Sequence, residues 1–178
     1  MTTPSRLLII AVLHVLAAPQ AGQTMALDKL RELYGESTAI ATETIPLSDS
    51  MQQAVAHLSG VPYKASTVRV QVVTIPGGGR RYAVLDNVLG KEQYITYMVV
   101  FDDAERIATL EILAYREAYG GEIRYKSFRE QFLGKLYSSD LRIGGDIRNI
   151  TGATISCQSV TRGVRKVAAL FHVIKRLI

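Results

Sequence analysis

The C-terminal segment of this chain carries an apolar stripe. Val160, Val164, Val167, Phe171, Ile174 and Ile178 recur at intervals of four, three, four, three and four. That spacing holds side chains on one face of an α-helix. Kept up for about five turns, the stripe must be covered by the rest of the chain. Arg162, Arg165, Lys166, Lys175 and Arg176 fall mostly between its positions and read as a solvated face with cations gathered near the helix C-terminus.

Strands provide the cover. Thr67–Val73 alternates apolar and polar residues, and so does Arg81–Leu85, the period of a half-buried strand. Between them lies Ile75-Pro76-Gly77-Gly78-Gly79-Arg80. No Lys-Ser/Thr pair follows the glycines and no helix opens there, so the segment reads as a hairpin turn and not as a phosphate loop. Asn87 to Lys91 reads as another turn, Tyr94–Phe101 as a strong strand, Asp102-Asp103 as its turn, and Arg106–Tyr115 as its hairpin partner. Upstream, Leu27, Leu30, Leu33 and Tyr34 predict a helix over Ala26–Glu36. A second helix is expected over Asp49–Leu58, capped by Ser48 or Ser50 and stopped at Ser59-Gly60-Val61-Pro62. A short helix over Ser127–Phe132 ends at Gly134. The order implies an α+β fold, an antiparallel sheet packed by helices.

At 178 residues and 48% apolar composition, the chain suits one domain with a full core. The net charge of +5 is spread along the chain, with no interleaved basic and aromatic residues, and offers no support for a nucleic-acid partner. The first 26 residues have the form of a secretory signal. Arg6 precedes the apolar run Leu7–Ala18, and small residues follow at Ala21 and Ala26, either of which suits cleavage. The run is well short of the roughly 20 residues that cross a bilayer. Residues 27–178 are then the single mature domain, periplasmic or otherwise exported, with membrane association left open. Cys157 stands alone, so no intramolecular disulfide can form, and a cysteine at a helix start is expected to be small packing material.

The chemistry-bearing segment is Asp146-Ile147-Arg148-Asn149-Ile150-Thr151-Gly152-Ala153-Thr154-Ile155-Ser156. A helix start offers unsatisfied N–H groups and a partial positive charge. Gly152 permits close approach to the backbone, and Thr151, Thr154, Ser156 and Ser159 crowd hydroxyls around it. The result reads either as an anion cradle or as an ordinary N-cap, since Ser and Thr favour helix starts in any case.

Thr151-Gly152-Ala153-Thr154-Ile155-Ser156 resembles the Ser/Thr-Gly-Ala-Thr motif of the FMN-binding domain family. That family includes the covalent-flavin subunits of sodium-pumping NADH:quinone reductases and of Rnf complexes, and the periplasmic domains of nitrous-oxide regulatory proteins. Tyr115-Arg116-Glu117-Ala118-Tyr119-Gly120-Gly121-Glu122 resembles the family's Glu-Thr-Pro-Gly segment, with Ala118 and Tyr119 in place of Thr and Pro, and is similar to small single-domain periplasmic members. Phe132-Leu133-Gly134-Lys135 also recurs in the family. The likeness is clearest over residues 86–170. The family's attachment pattern carries Asp three residues before the motif, where this chain has Arg148, with Asp146 two residues earlier.

The resemblance implies that an exported flavin transferase, using FAD, esterifies the FMN phosphate to Thr154. It also implies that Thr151, Gly152, Ala153, Ile155 and Ser156 line the phosphate. Glu117, Ala118, Gly120 and Gly121 would border the isoalloxazine ring or the ribityl chain. Tyr115, Tyr119 or Tyr125 offers an aromatic face for the ring, and Lys135 offers a charge for the phosphate or the reduced flavin. The expected function is electron transfer between membrane or periplasmic redox partners. A flavin-dependent reductase of a small substrate and a redox-sensing module are the alternatives. No nicotinamide fingerprint accompanies the flavin motif.

Overall fold

The computed structural model describes residues 21–76 and 78–178. The segment expected to be the signal lies outside these residues over positions 1–20. An α-helix, α1 (Ala21–Tyr34), leads into the strand β1 (Ala39–Pro46) and the helix α2 (Asp49–Ser59). Four strands follow: β2 (Thr67–Thr74), β3 (Arg80–Leu89), β4 (Tyr94–Phe101) and β5 (Ile107–Ala114). Short helical turns, among them α3 (Lys126–Arg129), precede the long C-terminal helix α4 (Thr154–Ile174). The strands form one antiparallel sheet in sequence order, β1-β2-β3-β4-β5. Chain neighbours are sheet neighbours throughout; β1 and β2 are joined through α2, and the other pairs by short turns. The α+β architecture expected from the sequence is the one observed.

The two faces of the sheet are covered unequally. On one, the α4 stripe packs over Tyr82, Val84, Tyr97, Val99 and Phe101, and Val55 of α2 joins the same core. Phe171 of α4 stacks on Phe101 with ring centroids 4.3 Å apart and meets Tyr82 at 5.4 Å. Each such buried side chain contributes on the order of 1.5–3 kcal/mol. On the other face, Ala26 and Leu30 of α1 pack on Val73, Ala83, Met98 and Val100. β4 is therefore apolar on both sides, and every residue of it after Tyr94 is buried.

Local chemistry explains the element ends. Ser48 caps α2, its Oγ accepting from Met51 N–H at 3.3 Å, and Gly60 closes the helix at φ 64°. The glycine-containing segment after β2 is a hairpin turn, with Ile75 N–H bonded to Gly79 O and Gly78 N–H to Ile75 O. Three expectations are corrected. α1 already covers Ala21 to Met25, ahead of its expected start at Ala26, and Ala26 is a core contact within the helix. Asn87 is not in a turn: β3 continues to Leu89, with Asn87 paired to Thr96, and the chain turns at residues 90–93. β1 has no counterpart in the sequence reading. As an edge strand it buries only Ile45, so its alternation is nearly invisible.

Gly163, in the middle of α4, lies against β4. A Cβ there would strike the Tyr97 hydroxyl and come within 2.7 Å of Val88 Cγ1. In an open helix, Gly→Ala gains about 1 kcal/mol; overpacking costs about 1–3 kcal/mol. The clash decides the sign, and Gly163→Ala should lower Tm by several degrees. Combined with Tyr97→Phe, which removes the obstructing hydroxyl, it should cost less than the two single substitutions added together. Additive costs in thermal melts would rule out this contact as the cause.

Candidate functional site

Approaching α4, the chain inserts Ile147 and Ala153 fully into the core and packs Ile150 against it. This three-residue spacing turns Arg148, Asn149, Thr151 and Gly152 to solvent. Gly152 adopts φ 87°, a left-handed conformation that favours glycine, and open space surrounds the place a Cβ would occupy. The peptide of Arg148 is gripped from both sides by Gln131: its N–H donates to Oε1 at 2.7 Å and its carbonyl accepts from Nε2 at 3.4 Å.

Helix α4 starts without a side-chain cap. Its N-cap is the buried Ala153, and none of the neighbouring hydroxyls caps the first turn. The Ala153 carbonyl takes the Cys157 N–H, leaving the N–H groups of Thr154, Ile155 and Ser156 as the helix's open donors. The ordinary N-cap reading therefore fails, and the anion-cradle reading survives on geometry. Thr154 is exposed at the first helical position, and its Oγ1 accepts from Asn149 Nδ2 at 2.9 Å. Ile155 is half-exposed and Ser156 is buried.

The second predicted segment leaves β5 and folds back onto this helix start. Ser156 Oγ and the Tyr115 hydroxyl are 2.9 Å apart, and the Tyr115 hydroxyl also donates to the carbonyl of Tyr119. Burial, the largest influence, raises the Tyr115 pKa, while its hydrogen bond to Ser156 works the other way. Gly120 is buried here at φ 86°. A Cβ on it would lie 2.8 Å from both Ser156 Oγ and Tyr115 Oη and 3.5 Å from Ala153 Cα. Glycine is needed for the backbone angle and for the close approach. Gly121, next in the chain, gives its carbonyl to Arg124 Nε at 3.2 Å, and the Arg124 guanidinium stands 5.8 Å from the Tyr115 ring centroid. One face of Tyr115 is thus occupied, whereas Tyr119 and Tyr125 are largely exposed. Ala118 is exposed beside them.

Two predicted residues turn elsewhere. Glu117 Oε1 accepts the N–H groups of Glu92, at 2.8 Å, and Gln93, at 3.0 Å, and so holds the β3–β4 turn against this loop. These backbone donors, Gln93 first and then Glu92, hold its carboxyl below the usual carboxylate range. Lys135 pairs with Asp146 at 3.1 Å, which commits both the cation expected to serve the phosphate and the carboxylate standing near the position taken by Arg148. The sequence reading missed three residues here: Asn149, Gln131 and Glu122. Asn149 was visible beside the motif, but a hydrogen bond to Thr154 is a tertiary fact. Glu122 Oε2 is buried with no hydrogen-bond partner among the described residues, and its charge is felt by both Tyr115 and Cys157. An unpaired buried acceptor costs about 1–3 kcal/mol, and a ligand hydroxyl or ring N–H would relieve it. Cys157 itself is buried, and burial pushes its thiol pKa up, which suits packing and not reactivity.

Uncapped helix donors, an exposed hydroxyl at the helix start, open space over Gly152 and an orphaned acceptor together fit a phosphorylated, hydroxyl-rich ligand. The model of the FMN-binding domain matches residues 90–169, a span that contains both loops and Thr154. No curated protein matches the chain.

Because its folded pKa is depressed, Glu117 stabilises the turn fully above the unfolded glutamate pKa, about 4.3. That contribution is lost as the pH falls through the lower, folded value. In an NMR titration the Glu92 and Gln93 amide resonances should shift together with a midpoint below that value, and Glu117→Gln should abolish the transition. A midpoint at the ordinary glutamate value would remove the case for the turn clamp.

Proposed function

We propose that this chain, whose residues 90–169 are an FMN-binding domain with FMN as cofactor, is an exported electron carrier holding the flavin through a phosphoester to Thr154. The observation that carries the reading is the start of α4, where an exposed threonine hydroxyl stands at a 21-residue helix with no side-chain cap. The N–H groups of the first turn would donate to phosphate oxygens, and the partial positive charge of the helix end offsets the phosphate charge. Asn149 orients the Thr154 oxygen. The Tyr115–Ser156 contact and the close packing of Gly120 hold the second loop against the anchor, and the Gln131 grip on Arg148 holds the approach to it.

Attachment forms the bond between Thr154 Oγ1 and phosphorus and breaks the pyrophosphate bond of FAD, releasing AMP, with an exported flavin transferase as the catalyst. Bound FMN supplies one- and two-electron chemistry, and the protein supplies position and electrostatics. A phosphoester leaves the ring free to meet donor and acceptor, and membrane or periplasmic redox partners fit that arrangement. Export rests on the N-terminal sequence pattern. Cleavage after Ala21 would keep the contacts that α1 makes through Gln23 and Ala26. Cleavage after Ala26 would remove the buried Ala26 together with Gln23, which accepts from Gln71 Nε2 at 2.6 Å.

Exported alongside a flavin transferase, the protein should gain the mass of one FMN less one water and begin at Gly22. Thr154→Ala should lose the mass gain. An unshifted, colourless wild-type protein would overturn the flavin reading. A yellow protein of unshifted mass would overturn the ester alone, and a mature chain beginning at Leu27 would overturn the cleavage assignment.

A further inference from the structure

The β2–β3 ladder ends at the pair Val70–Val84, although β2 extends back to Thr67 and β3 on to Leu89. Beyond that pair the two strands part. Thr67, Val68 and Arg69 stay paired to β1, while Leu85 through Leu89 stay paired to β4. A cleft of about 430 Å³ opens between them, roofed by Val167 and Leu170 of α4 and reached on the other side by Gln23 of α1. That volume lies within the range of about 300–1,000 Å³ usual for small-molecule sites.

The cleft wall has two characters. Val68, Val84, Val167 and Leu170 make its apolar part. Lys64, Arg69 and Lys166 bring three cations against one carboxylate, Asp86. Asp86 is already used: Lys166 Nζ lies 2.9 Å from it, and it accepts the hydroxyl of the buried Tyr97. Lys64 and Arg69 are exposed and form no ion pair among the described residues. A surplus of two positive charges therefore faces one cleft, where an anion lowers their mutual repulsion. Tyr63 lines the same space, and its pKa is pushed up to about 12 by burial and then by the charge of Asp86. Its hydroxyl keeps its proton and remains a hydrogen-bond donor.

We propose that the cleft where β2 and β3 part binds a small organic oxyanion, with its apolar body against Val68, Val84, Val167 and Leu170 and its head group between Lys64 and Arg69. This is a second site, distinct from the flavin anchor. None of its residues lies in the 115–121 or 149–156 loops, and Lys166 is twelve residues along α4 from Thr154, about 18 Å at the helical rise. The split in the sheet gives the site its depth, because a continuous ladder would bring β2 and β3 within the ordinary strand spacing of about 4.8 Å.

The test compares naphthalene-2-carboxylate with 2-naphthamide, which has nearly the same shape and no charge, by calorimetry and NMR on the mature FMN-loaded protein. The carboxylate should bind one to one, shift the resonances of Val84, Leu85, Val167 and Leu170, and weaken as salt is raised. Lys64→Gln and Arg69→Gln should each weaken it about fivefold, the upper end for an exposed charge contact. Both should leave the amide's affinity and the flavin absorbance unchanged, showing that the fold and the flavin site are intact. Equal binding of carboxylate and amide, unaltered affinity in both variants, or shifts centred on Gly120–Gly121 and Thr151–Ser156 would each overturn the proposal. The same titration on flavin-free protein gives the same answer, so failure of this site and failure of the flavin reading are separable.

Discussion

Val160, Val164, Val167, Phe171 and Ile174 of α4 lie buried on the sheet face built by β3 and β4, and this contact does two jobs. It closes the main core, because without α4 the rings of Tyr82 and Phe101 and the side chains of Val84 and Val99 would face water. It also fixes a direction. A helix is a rigid rod, so docking four turns of it determines where its first turn points and where its open N–H groups gather. Core packing and the uncapped helix start are thus two ends of one element.

The loops around that helix start are held by specific pairings, which suits a site that must keep its geometry. Ile147, Ile150 and Ala153 peg the approach segment to the core, and Gln131 fixes the Arg148 peptide between two pegs. Tyr115 ties the second loop to Ser156, and Glu117 ties the β3–β4 turn to that loop. Three segments distant in sequence become one surface through a few hydrogen bonds. Beside the open N–H groups of the helix start, Glu122 Oε2 is a buried acceptor left unpaired among the described residues. A buried acceptor of this kind calls for a partner, whether water, ion or ligand.

Much of the fold was legible because its signals are local. The stripe of α4 stands in the residue spacing. The caps of α2 follow from Ser48 and Gly60, and the β2–β3 turn from its glycines. β1 was missed because an edge strand buries one side chain in eight, too few to show a period. Asn87 was misread because its turn-forming chemistry was outweighed by pairing with Thr96 across β4. Residues 21–25 of α1 were left out of the expected helix because small residues serve both signal cleavage and close helix–sheet packing, and the sequence does not say which applies at Ala26. In the site, the motifs placed Thr154, Gly152 and Gly120 in one neighbourhood. The partners of Glu117 and Lys135 were out of reach, since each carboxylate or ammonium meets groups brought to it by the fold.

By itself the sequence determined the class of fold and the presence of a flavin motif, because periodicity, capping and a short contiguous motif all act within a few residues of chain. Only the tertiary structure decided that the start of α4 lacks a side-chain cap and that Glu117 clamps a turn. It alone decided that Lys135 is spent on Asp146 and that β2 and β3 part to leave a cationic cleft. These depend on which distant groups arrive within hydrogen-bonding distance, and that is settled by how the sheet and helices pack, a property of the whole chain that no local stretch encodes.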